Sequence, residues 1–249
     1  MKRLSLLIPA LLAPALATAD ARIHMSSDID GDVDSVLSVR DGHMLMEADG
    51  RGDTTVLFTA DSGNLTVINH SRKSYMTMDD KTMDQMQGQI DAAMKQMQEQ
   101  LKNMPEEQRK MIMERMPQMK AMEEKPKSTY SVKKTGDKDT VADVACHTME
   151  VMKNGMPEGV GCIATAKAMG IANKDFDTMV AMFNRLKSMA GRFSDDDTPD
   201  LQALGGFPMR MTDANGRVTT QVTRIETGEL DKGMFQVPAD YTPESMPGM

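Results

Sequence analysis

The chain has no tryptophan, and only 4% of its 249 residues are aromatic. Aromatic rings usually supply much of the bulk in a core, so another side chain must do that work here. Methionine is the candidate, at 28 residues; its flexible thioether fills irregular gaps and adapts to variable surfaces. The chain also lacks a basic excess: its net charge is −8. Phosphate backbones call for a basic face, which argues against nucleic acid as a partner.

Catalytic spacings are missing too. His24, His43, His70 and His147 stand singly, with no H-x-x-x-H or H-E-x-x-H pair for zinc. There is no G-x-S-x-G elbow, P-loop or Rossmann glycine pattern. No catalytic residue is assigned on this basis, no cofactor is expected, and the protein reads as a non-enzyme. Beyond Leu16 no run is apolar or long enough for a membrane span, which needs about 20 residues.

What is present begins with an address. Met1-Lys2-Arg3 forms a positive start and Leu4 to Leu16 is apolar. Ala17-Thr18-Ala19 gives a small-x-small cleavage site, with Ala19-Asp20-Ala21 as a second candidate. Residues 1–19 therefore read as a signal peptide and the mature protein as periplasmic. Losing Lys2 and Arg3 deepens the negative charge by two. No cysteine near the cleavage site suggests lipid attachment.

The two cysteines, Cys146 and Cys162, read as a disulfide in an oxidising compartment. Strand-like runs at Val144 to Met152 and Val160 to Ala168 flank a turn-rich Lys153 to Gly159. A hairpin folded at Asn154, midway between the cysteines, sets them opposite each other. Closing a loop of this length stabilises by about 3 kcal/mol in the chain-entropy model.

Short strands and tight turns are expected from Ala21 to Met78. They include hairpins at Asp41-Gly42 and at Asp61 to Asn64. The period then changes. Met83, Met86, Ile90, Met94, Met97, Leu101 and Met104 follow Asp79 and Asp80 at steps of three and four, as on an amphipathic helix. Pro105-Glu106-Glu107 restarts a helix, so a Met-rich helical hairpin is expected at about residues 80–123. Strands resume at Ser128 to Lys134, pause at Thr135 to Asp139, and lead into the cysteine hairpin. A second helix from near Asn173 presents Phe176, Val180, Phe183 and Leu186 on one face, with Met179 beside them. A last hairpin turns at Asp213 to Gly216. The expectation is a single α+β domain over residues 20–241 with a disordered tail at 242–249.

Several segments carry a family likeness. They are Asn69 to Met78, Cys162-Ile163-Ala164-Thr165, Ala168-Met169-Gly170-Ile171, Gly205-Gly206-Phe207-Pro208-Met209-Arg210, and Phe235-Gln236-Val237-Pro238-Ala239-Asp240-Tyr241. In these the chain resembles the bacterial domain of unknown function 4412 family. The closing Phe-x-Val-Pro-x-x-Tyr is also similar to the last strand of periplasmic lipoprotein carriers of the LolA type. That similarity implies a curved, half-barrel-like antiparallel sheet covered by helices.

Three functional readings follow. The first is a binder in which Met83, Met86, Met94, Met97 and Met104 line a site for an apolar ligand or an envelope protein's segment. The second is Cu(I) handling or oxidant scavenging by Met111, Met113, Met116, Met119 and Met122, since thioethers are soft ligands. Residues two apart on a helix do not share a face, so this cluster would have to unwind to meet one ion. The third is a structural or interaction protein of the envelope. Asp28, Asp30, Asp32 and Asp34 do not form a calcium loop, because Val33 and Val39 stand where an EF-hand needs Gly and Glu.

Overall fold

Among the described residues eleven strands fold in two runs that follow the chain, and the way these runs join defines the architecture. The computed structural model describes residues 20–28, 33–48, 53–102, 104, 105, 128–190, 196, 197 and 201–244. The first run is β1 (Ala21–Ser27), β2 (Val33–Arg40), β3 (His43–Ala48), β4 (Thr54–Thr59), β5 (Asn64–Asn69) and β6 (Ser74–Met78). Helix α1 (Asp80–Lys102) follows. The second run is β7 (Ser128–Val141), β8 (Val144–Lys153), β9 (Met156–Ala164), β11 (Phe207–Asp213) and β12 (Val218–Thr227). Between β9 and β11 lie α2 (Ala166–Met169), α3 (Asn173–Ala190), β10 (Asp196–Asp197) and α4 (Leu201–Leu204). A 3-10 turn at Lys232–Phe235 and β13 (Thr242–Pro243) close the chain.

Each run is an antiparallel meander, and β12 pairs with β1 to join them. The sheet order is β10-β7-β8-β9-β11-β12-β1-β2-β3-β4-β5-β6-β13. This is an up-and-down circuit broken at one place, between β6 and β7. Two-residue strands pair with the first residues of each edge strand at that break, β13 parallel to β6 at Ser74 and Tyr75 and β10 parallel to β7 at Ser128 and Thr129. Short edge strands of this kind keep an open sheet from pairing with another chain. The expected α+β class and curved antiparallel sheet are thus present.

Local sequence explains the hairpins. Asp41-Gly42 and Asn154-Gly155 both adopt positive φ at both positions, as a two-residue I′ turn requires. The β7–β8 turn differs from expectation. Gly136 (φ 87) makes an irregularity within β7, where the register shifts between Lys134 and Lys138. The chain actually reverses at Ala142-Asp143, both left-handed. The glycine signal was thus a bulge inside a long strand. The expected strand to Ala168 also ends early, because Thr165 Oγ1 accepts from Ala168 N and starts α2.

The main core lies on one face of the sheet. Ile23, Leu37, Val39, Met44, Phe58 and Leu65 from the first run meet Met149, Ile163, Phe207, Met209 and Val222 from the second. Helix α3 lies in this core, with Met179 and Met182 fully buried and Phe183 tilted against Phe207 at 6.2 Å between centroids. The opposite face of β3 to β5 carries Leu45, Leu57 and Ile68, and these are covered by Phe235 with Leu230, Met234, Val237 and Tyr241. Burying a Phe of this kind contributes about 1.5–3 kcal/mol. Strands β3 to β5 are therefore buried on both faces, while α3 fills the inner one.

Candidate functional site

The break between β6 and β7 is where the Met-rich segment leaves the sheet, and its first turn is firmly anchored. Thr82 N donates to Asp79 Oδ1 at 2.7 Å, an N-cap bond. The Thr82 side chain and its backbone N–H together hold the Asp79 carboxyl below its ordinary range. Asp80 Oδ1 meets Arg185 of α3 at 2.6 Å, and Met83 is buried at 2% exposure. The principal contact of α1 with the sheet is to β6.

Past that turn the surroundings change. Asp84, Gln85, Gly88, Gln89, Asp91 to Ala93, Lys95 to Met97, Glu99 and Gln100 are exposed. A 23-residue helix is about 34 Å long at 1.5 Å per residue, so the anchored turn is a small part of its length. Met83, Met86, Ile90, Met94, Met97 and Leu101 fall on one stripe by spacing.

The five methionines proposed to line a site therefore divide. Met83 belongs to the anchor, Met86 and Met94 lie along α1, and Met97 is 36% exposed. Met104 follows the helix and is half-buried. Met111, Met113, Met116, Met119 and Met122, and with them the second helix of the hairpin, lie outside the described residues.

Cys146 and Cys162 are disulfide-bonded and buried, with Cα atoms 5.5 Å apart. The pairing is diagonal: Cys162 lies opposite Thr148. The turn at Asn154-Gly155 and an irregularity between Val151 and Met152 shift the register by two residues. A shift of two keeps both cysteines on the same face, so the bridge still closes.

Sequence reasoning did not foresee that two of the quoted segments meet. His70 Nδ1 lies 2.9 Å from Tyr241 Oη, and its Nε2 lies 3.1 Å from Thr55 Oγ1. Lys73 Nζ donates to Asp240 Oδ2 at 2.8 Å, and this contact holds the Asp240 carboxyl below its ordinary range. Thr242 N donates to Lys73 O and Glu244 N to Tyr75 O. Thr-His-Tyr has the outline of a proton relay, but Thr55 is 5% exposed and has no open side for a substrate. The arrangement fastens the C-terminal segment over β3 to β5. The glycine motif is structural as well: a Cβ on Gly206 would stand 2.3 Å from Ala164 O, next to the fully buried Phe207.

Among the described residues no group of three or more His, Cys, Asp or Glu side chains is arranged to hold a metal ion. No described helix is long and apolar enough to cross a membrane. A depression of about 270 Å³ is lined by Arg40, Asp41, His43, Lys232, Phe235 and Gln236, and none of these is a residue of α1.

An open up-and-down sheet wrapped on one helix, with a Met-rich helix leaving at its break, defines the class of protein structurally. The family follows from comparison: the profile of the domain of unknown function family DUF4412 matches residues 77–241, and the chain belongs to that family. No curated protein matches. A solved structure of PNGF-II superposes with a TM-score of 0.36 at 7% identity, over 87% of this chain and 32% of that one. That likeness is too slight to bear on fold or function. The similarity to lipoprotein carriers receives no support from these matches.

Proposed function

We propose that this is an exported, non-enzymatic periplasmic protein that binds through its Met-rich helix. The sheet body acts as a packed scaffold, and α1 offers an adaptable apolar stripe to an apolar ligand or to a segment of an envelope protein. The observation that carries this reading is the contrast along α1. Its first turn is locked by Met83 and the Asp80–Arg185 pair, and the residues flanking the stripe beyond it are exposed. With α3 filling the inner face of the sheet, binding falls to the helix itself. Methionine suits such a surface because it can repack against partners of different shape.

Excising residues 80–123 is a poor test, because β6 and β7 stand near opposite ends of the sheet order and the segment must bridge them. Replacing Met86, Ile90, Met94 and Met97 together by Gln keeps the chain length and the helix propensity. Native mass spectrometry of protein taken from the periplasm, and capture of envelope proteins, are then compared between the two forms. The reading predicts a bound species on the natural protein and its loss from the variant. An empty natural protein that captures nothing would overturn it.

A further inference from the structure

The N-terminal end of β1 holds a group of charges that does not balance. Asp20 extends β1 beside Arg40, and its carboxylate lies 3.2 Å from the Arg40 guanidinium. It also accepts from Leu230 N at 2.9 Å, while its carbonyl accepts from Gly228 N at 3.1 Å. Arg40 further contacts Glu229 at 3.4 Å and Asp41 at 3.7 Å. Asp41 reaches Lys174 at 3.8 Å, in the first turn of α3. The next residue, Asp175, is 5% exposed, and its Oδ1 is buried without a hydrogen-bond partner. Among the described residues the ion pairs of Asp20, Asp41 and Glu229 here go to Arg40 and Lys174, and none of them reaches Asp175.

A buried carboxylate with an unsatisfied oxygen is costly unless a cation or donor reaches it. Burial, the first cause, pushes the Asp175 carboxyl up; the backbone of Asp41 opposes this, and the charges of Asp20 and Asp41 add to it. Asp175 therefore lacks a cation, and Asp20 is close enough for its charge to act on it. Cutting the chain between Ala19 and Asp20 creates one there, an α-ammonium carried by Asp20 itself.

We propose that the α-ammonium released at Asp20 on removal of residues 1–19 is the counter-ion of Asp175, so that cleavage completes this end of the fold. The inference rests on the export reading, with its cut after Ala19, and goes beyond it by giving the new N-terminus a structural role. Cutting after Ala21 would remove Asp20, with its bonds to Arg40 and Leu230, and also Ala21, which is fully buried and paired with both Val39 and Thr227. Hydrolysis of the Ala19–Asp20 peptide bond consumes one water; the carboxylate leaves with the leader and the amine stays on Asp20.

The experiment has two arms. In the first, the full chain is expressed with its leader, recovered from the periplasm and weighed intact with its disulfide formed. The inference requires a mature chain beginning at Asp20. Any other start overturns it, and an uncut chain would remove the export reading as well. In the second, thermal midpoints are compared for the chain beginning at Asp20 and for one retaining residues 17–19, each with Asp175 and with Asp175→Asn. With Asp175, the retained residues should lower the midpoint by about 2–4 °C, the size of a 1 kcal/mol change in a domain of this length. With Asn the difference should vanish, and Asp175→Asn should stabilise the extended chain while destabilising the mature one. An equal loss in both backgrounds, with cleavage still at Asp20, overturns the pairing and leaves export standing.

Discussion

Helices α1 and α3 draw on the same side chain for their apolar positions, yet Met179 and Met182 of α3 are fully buried whereas Met97 of α1 is 36% exposed. The difference lies in what surrounds each stripe. Along α3, Phe176, Val180, Phe183 and Leu186 supply rigid, varied shapes that the flexible methionines complement, and the sheet supplies Phe207, Met209 and Val222 to receive them. Along α1 the stripe is four Met with Ile90 and Leu101, flanked by Gln, Lys and Asp, and its principal sheet contact is to β6. Methionine is a packing residue in the first setting and an adaptable surface in the second. Composition alone could not separate these two uses.

The largest expected effect comes from the packed helix. Met182→Ala should cost about 2–5 kcal/mol, the range for truncating a large buried side chain. Met97→Ala should change stability by no more than about 0.5 kcal/mol. Denaturant midpoints with unchanged slopes measure both, and equal costs would erase the contrast between the helices. Breaking the disulfide with Cys146→Ser and Cys162→Ser together should remove about 3 kcal/mol, read from the same curves. A loss below 0.5 kcal/mol would mean that the hairpin is fully held by its ladder.

The strap over the outer face gives smaller effects. Tyr241→Phe removes the His70 bond and should cost about 1 kcal/mol, the usual net worth of one hydrogen bond. His70→Ala should cost no less, because Thr55 also loses its partner. The Lys73–Asp240 pair is exposed and contributes least. Its carboxyl is held below the ordinary value, so its contribution is present above that value and fades as pH falls through the lowered one. Asp240→Asn should therefore flatten a slight slope in stability on the acid side of the ordinary carboxylate range and leave neutral pH nearly untouched.

Much of the fold was legible because its signals are local. Asp41-Gly42 and Asn154-Gly155 set hairpins by their backbone freedom, Asp79 caps α1, and the cysteine spacing marks a bridge that tolerates a two-residue slip. Gly136 misled because a glycine with positive φ serves a bulge as readily as a turn. What was not legible was long-range. The pairing of β1 with β12, the burial of α3 inside the sheet, and the meeting of His70 with Tyr241 join residues that no local pattern links. The site shares this division: the stripe was visible as a period, while its one-turn anchor depended on Asp80 meeting Arg185.

The most direct test compares the natural chain with the variant in which Met86, Ile90, Met94 and Met97 are replaced by Gln. Thermal midpoint and retention of the bound species are measured on the same samples. The prediction is a midpoint within about 2 °C, as for surface changes in a domain of this size, together with loss of the bound species. A collapsed midpoint would make the stripe a second core, and an unchanged midpoint with full retention would place binding elsewhere; either result contradicts the account.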